Sequence, residues 1–175
     1  MVATAILATV CLGVAQMFIV AADQTRGGKI ETSATTLAEQ KMEQLRSLTW
    51  GFDLTGQGLP TSDTTTNLAV DPPDDSGFGM NPSPSGTMES NTPGYVDFLD
   101  QFGRYLGTGV AAPLNTAYIR RWSIEPLPTN PNNTLVLQVF VTTPGREARR
   151  GAASNKRWKL PGDAWLVTVK TRKAS

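Results

Sequence analysis

The first 22 residues, Met1 to Ala22 (MVATAILATVCLGVAQMFIVAA), carry no charge, and Gln16 is their one strongly polar side chain. As a helix this run rises about 33 Å against a hydrocarbon core of about 30 Å, so it is long enough to span a bilayer. A cleaved signal peptide fits less well, because no basic segment precedes the run and the run is longer than an ordinary signal core. Val20-Ala21-Ala22 keeps that reading open as a cleavage site. A buried core helix fits worst. A chain of 175 residues makes one ordinary domain, too small to surround such a helix on every side.

From Asp23 to about Trp50 the pattern becomes amphipathic. Ile30, Ala34, Leu37, Ala38, Met42, Leu45 and Leu48 recur at spacings of three and four and mark one apolar stripe. Glu39, Gln40, Lys41, Glu43, Gln44 and Arg46 fill the other positions, with Glu43 and Arg46 placed for an i,i+3 pair. One helix is therefore expected from Met1 to about residue 50, with a membrane-like half (1–22) and a half that packs on a domain (23–50). Gly13 and Gly27-Gly28 are the places where it would bend or melt.

Residues 51–116 read as an irregular acidic region, with runs such as Asp71-Pro72-Pro73-Asp74-Asp75 and Asn81-Pro82-Ser83-Pro84-Ser85-Gly86 and no persistent period. Within it, Tyr95 to Phe102 is expected as a short helical turn or anchoring segment. Residues 117–175 read as strands. Tyr118–Glu125 alternates about positions 118, 120, 122 and 124, and Leu135, Leu137, Val139 and Val141 face one way along Thr134–Thr142. Pro126–Asn133 is a turn, Pro144–Arg157 a basic loop, and Ala164–Thr171 a last strand. The expected fold class is α+β: a long helix covering a small antiparallel three-stranded meander, with 23–175 as one globular domain. A chain lacking residues 1–22 is expected to stay soluble and folded.

Composition argues against an enzyme. Histidine is absent, which removes Ser-His-Asp and Cys-His catalysis and most zinc-enzyme ligand sets. The single cysteine, Cys11, lies in the apolar run, so no intramolecular disulfide forms. The net charge of +1 conceals a segregation: residues 1–52 are neutral, 53–116 net −7, and 117–175 net +8.

These features together carry a resemblance. A long helix with an apolar first half, an irregular loop and a C-terminal antiparallel sheet resembles a type IV pilin. Met1 to Ala8 (MVATAILA) resembles the segment after the pilin-family cleavage motif, and Ala38 to Arg46 (AEQKMEQLR) resembles the helix of minor pilins of the pilus-assembly and pilus-modification group. The strands Tyr118–Trp122, Leu135–Val141 and Trp165–Lys170 are similar to that group. Residue-level likeness is confined to about residues 1–48 and the strands. Family members begin with a short basic leader ending in Gly, then a Phe-Thr-Leu-Ile-Glu type run. Neither is present here, and Met1 is expected to be an internal methionine of a longer reading frame, since Met-Val-Ala commonly follows that Glu. The processing site, the methylated N-terminus and the Glu fall on no residue of this sequence.

The resemblance implies a structural subunit of a type IV pilus or of a type II secretion pseudopilus. Such a subunit waits in the bacterial inner membrane with its C-terminal domain outside the cytoplasm, then buries its helix in the filament core. Its partners would be other pilin subunits, the assembly machinery and, before assembly, membrane lipid; no cofactor or small-molecule substrate is implied. Ile6, Leu7, Val10, Leu12, Gly13, Val14, Phe18 and Ile19 would form the filament core, with Gly13, Ala3, Ala5, Ala8 and Ala15 permitting close helix approach. Ile30, Leu37, Met42, Leu45 and Leu48 would pack on the sheet. The competing reading is a membrane-anchored extracytoplasmic binding or adhesion domain that does not polymerise.

Three weaker constellations remain. Asp71, Asp74 and Asp75 beside Ser76-Gly77 are calcium candidates, with a solvated acidic loop as the plainer reading. Arg146, Arg149, Arg150, Lys156, Arg157 and Lys159, with Trp158 among them, form a basic interaction loop. It is suited to steering subunit contacts or, as the lesser reading, to touching DNA. Asn132-Asn133-Thr134 matches a glycosylation sequon at a turn, and Asp97 and Asp100 form no convincing acid–base pair.

Overall fold

A computed structural model describes residues 2–52, 60–63, 78–152 and 159–172, with the backbone alone for 2–10. Helix α1 (Val2–Ser47) is followed by a hairpin of β1 (Trp50–Phe52) and β2 (Pro60–Ser62). Then come β3 (Val96–Leu99), β4 (Tyr105–Gly107), β5 (Tyr118–Pro126), β6 (Thr134–Thr142), the short helix α2 (Pro144–Ala152) and β7 (Ala164–Thr171). An antiparallel five-stranded sheet runs in the order β4-β3-β5-β6-β7. The fold is α+β. The Asp71, Asp74 and Asp75 candidates and the basic residues Lys156 and Arg157, with Trp158, lie outside the described residues.

The core lies between α1 and one face of the sheet. α1 contributes Ala34, Leu37, Ala38, Met42, Leu45 and Leu48, with Ile30 partly buried at the margin. The sheet meets them with Trp122, Ile124, Leu135, Leu137, Val139 and Val141. Alternate residues of β6 face inward because a strand repeats every two residues. The helix lies chiefly over β6 and β7. Its C-terminal end is closed by Lys170 of β7, whose ammonium donates to the carbonyls of Leu45, Arg46 and Leu48, a cation placed where α1 leaves acceptors unsatisfied. Arg172 lies over the Trp50 ring at 4.3 Å and donates to Gly51 O, tying the β1–β2 hairpin to the sheet edge.

Three expectations are corrected. The segment 95–102 holds a strand, β3, rather than a helical turn. Both faces of β3 are covered, so all four of its residues are buried and no alternation shows in the sequence. With β3 and β4 the sheet has five strands, not three. Gly103, at φ 79°, permits the tight β3–β4 turn, close against Leu37 of α1. Finally, the basic loop begins as a helix: Thr143 O accepts from the amides of Arg146 and Glu147, which starts α2. The sparse apolar content of PGREARRGA hid that turn of helix, because its stability comes from charge pairing and not from an apolar stripe.

Candidate functional site

α1 is continuous through Gly13 and Gly27-Gly28, yet its two halves have opposite surroundings. The stripe from Ala34 to Leu48 is buried on the sheet. Toward the N-terminus the large apolar side chains stand in the open: Leu12 is 63% exposed, Phe18 72% and Ile19 64%, and Val14, Met17 and Val20 are exposed as well. A Cβ at Gly13 would meet nothing within 4 Å. The side chains of Ile6, Leu7 and Val10 lie outside the described residues. Among the described residues no helix is long and apolar enough to cross a membrane, which covers the apolar run from Cys11 onward only.

A buried ionic cluster fixes the docked half. The Arg120 fork donates from Nε and Nη2 to the two Asp97 oxygens, each at 2.9 Å. Its Nη1 reaches the Leu37 carbonyl at 3.0 Å and Gln40 at 3.3 Å, so a sheet arginine grips the helix backbone directly. Lys41 comes from the helix side, with Nζ 3.2 Å from Asp97 Oδ2 and 3.8 Å from the Trp122 ring centroid. The side chains of Lys41 and Asp97 are wholly buried. Burial pulls the Lys41 ammonium down to about 8 despite the Asp97 carboxylate, and Arg120 pushes the same way as burial. Burial alone would raise the Asp97 carboxyl, but Lys41 and Arg120 outweigh it and hold the group below the usual carboxylate range. With Arg120 holding both oxygens and Lys41 one of them, Asp97 acts as an anchor. Asp100 is spent on its own turn, accepting from the amides of Phe102 and Arg104.

The basic segment divides into used and unused cations. Arg150 is paired with Glu147 and, at 2.8 Å, with buried Asp163, and it lies over the Phe140 ring. Arg146 donates to Gly162 O at 2.9 Å. Arg149 is exposed and donates a long bond, 3.4 Å, to Gly145 O within its own helix. Arg121, on the outer face of β5, is buried and binds Asn91 and Glu147, joining α2 to the segment before β3. Asn132 is exposed in the β5–β6 turn, at the end of the sheet that holds the C-terminus of α1.

No protein-family model, curated protein or solved structure matches this chain. Sequence reasoning missed the buried roles of Lys41, Asp97, Arg120 and Arg121: it set Lys41 off the apolar stripe, Asp97 in a helical turn or anchoring segment, and Arg120 and Arg121 in a strand without partners. One signal was available. Lys41 sits on the same face as Leu37, Ala38 and Leu45, and a charge inside an apolar stripe asks for a buried partner.

Proposed function

We propose that this chain is a structural subunit of a type IV pilus or type II secretion pseudopilus. The N-terminal half of α1 holds it in the bacterial inner membrane, with the sheet domain on the extracytoplasmic side. On assembly that half packs against its counterparts in the filament core. One observation carries the reading: a single unbroken helix is buried on its own domain from Ala34 to Leu48, while every side chain of its uncharged, apolar stretch from Cys11 to Ala22 is exposed. Exposing Leu12, Met17, Phe18 and Ile19 to water would cost about 1.5–3 kcal/mol each, so this surface requires lipid or other helices. The buried cluster suits the same role, because it fixes helix to sheet while the bare half changes surroundings.

The test is to express the chain alongside a pilus or pseudopilus assembly system and probe both the alkali-washed membranes and the sheared filaments. Recovery in both is the expected result. Recovery in membranes but never in filaments would favour the anchored, non-polymerising domain, and absence from both would end either reading.

A further inference from the structure

We infer that two copies of this chain pair in the membrane, parallel and in register, through the α1 face that carries Gly13, Gln16, Val20 and Gln24. The pairing rests on the membrane-anchored reading above and goes beyond it, because it concerns the subunit before any filament forms. Gly13, Gln16, Val20 and Gln24 follow one another at spacings of three, four and four, which places them on one side of a continuous helix. With Met17 and Ala21 they line a shallow groove. Thr9, four residues before Gly13, continues the same spacing in the sequence. Cys11 and Phe18 fall on the far side. The bare half of α1 is therefore two-faced, with its glycine and both glutamines gathered on one side and Phe18 opposite them. Hydrophobicity alone does not sort residues that way in a simple anchor. A side for lipid and a side for a helix does.

The occupant follows from the amide. Gln16 is the one strongly polar residue of the apolar run, and in hydrocarbon its donors and acceptor need a partner. A primary amide both donates and accepts, so a second Gln16 at the same depth completes it. Gly13, one turn away, leaves room for the backbones to approach. One membrane with both domains on the same side makes the two helices parallel, which puts identical residues at identical depth. The domain does not obstruct this contact. The stripe from Ala34 to Leu48 begins 18 residues beyond Gln16, about 27 Å along the helix, and two helices that cross near Gly13 and Gln16 diverge over that length, which leaves each sheet clear of the partner helix.

The native cysteine supplies the control. The full chain is expressed in a bacterial membrane, alkali-washed membranes are recovered, and disulfide formation is driven with a mild oxidant. The native chain, with Cys11 on the far face, is expected to remain monomeric. A Cys11→Ala, Val20→Cys chain is expected to give a disulfide dimer, and Cys11→Ala, Phe18→Cys is expected not to. Adding Gln16→Leu to the Val20→Cys chain should weaken dimer formation about three- to thirty-fold, the range measured for polar contacts between membrane helices. Absence of the chain from the washed membranes overturns the anchored reading itself. Presence there, with Val20→Cys no better than Cys11 or Phe18→Cys, overturns the pairing alone. A strong Val20→Cys dimer indifferent to Gln16→Leu overturns the role of the amide.

Discussion

The two halves of α1 are one helix of one chain, yet they are held by different physics. Between Ala34 and Leu48 the helix owes its place to the sheet: an apolar stripe, an arginine on its backbone and a lysine over a tryptophan ring. Between Cys11 and Ala22 no described side chain is buried. Tertiary packing supplies most of the stability of helices in folded domains, and the bare half has none from its own domain between Cys11 and Ala22. In the reading proposed above, the docked half decides whether the domain is folded, and the bare half decides what the domain joins. Substitutions should separate those effects.

The largest effect is expected at Asp97. Asp97→Asn leaves Lys41 and Arg120 buried together without their shared carboxylate, and breaking a buried ionic set typically costs about 3–5 kcal/mol. At about 2–4 °C per kcal/mol for a chain of this size, thermal melts of the full chain in detergent should fall by about 6–20 °C. Next come matched truncations. Leu45→Ala should cost about 2–5 kcal/mol, whereas Phe18→Ala should leave the melt unchanged and show itself only in membrane or filament recovery. Equal effects of these two on the melt would break the distinction between the halves.

Lys41 gives a smaller effect with a definite sign. The folded state binds its proton less tightly than the unfolded chain does, so stability should rise with pH from about 8 to 10.5 and be flat from this source below 8. Lys41→Met should abolish the rise. Its melting temperature at pH 7 should equal or exceed that of the native chain, because Asp97 keeps its paired arginine. A melt that falls steadily between pH 8 and 10 in the native chain but not in the variant would show the lysine stabilising as a cation. Asp97 acts with the same sign at lower pH, its stabilisation being lost as pH falls below the ordinary carboxylate range.

The smallest effect is expected at Arg149. Arg149→Glu should shift stability by no more than about 0.5 kcal/mol, as an exposed residue should. Arg150→Glu should lower the melt by several degrees, because it sets a carboxylate beside Glu147 and buried Asp163. The +8 region is thus not a uniform basic face. Arg149→Glu is the variant that tests attraction between subunits without disturbing the fold.

The sequence by itself determined the long helix, its apolar and amphipathic halves, and the strands β5, β6 and β7, because a period near 3.6 or 2 is a local property that survives translation into structure. It determined the contact stripe of α1 for the same reason, since only one side of a helix can meet a sheet. Tertiary structure alone decided β3, whose four residues are buried on both faces and so carry no period. It also decided the short helix α2, held by ion pairs to distant residues. Above all it decided that Lys41, Asp97 and Arg120 meet. They come from a helix, a strand and a segment that the sequence read as irregular, none of which names the others as partners, and a charge is tolerated in a core only when folding brings its partner to it.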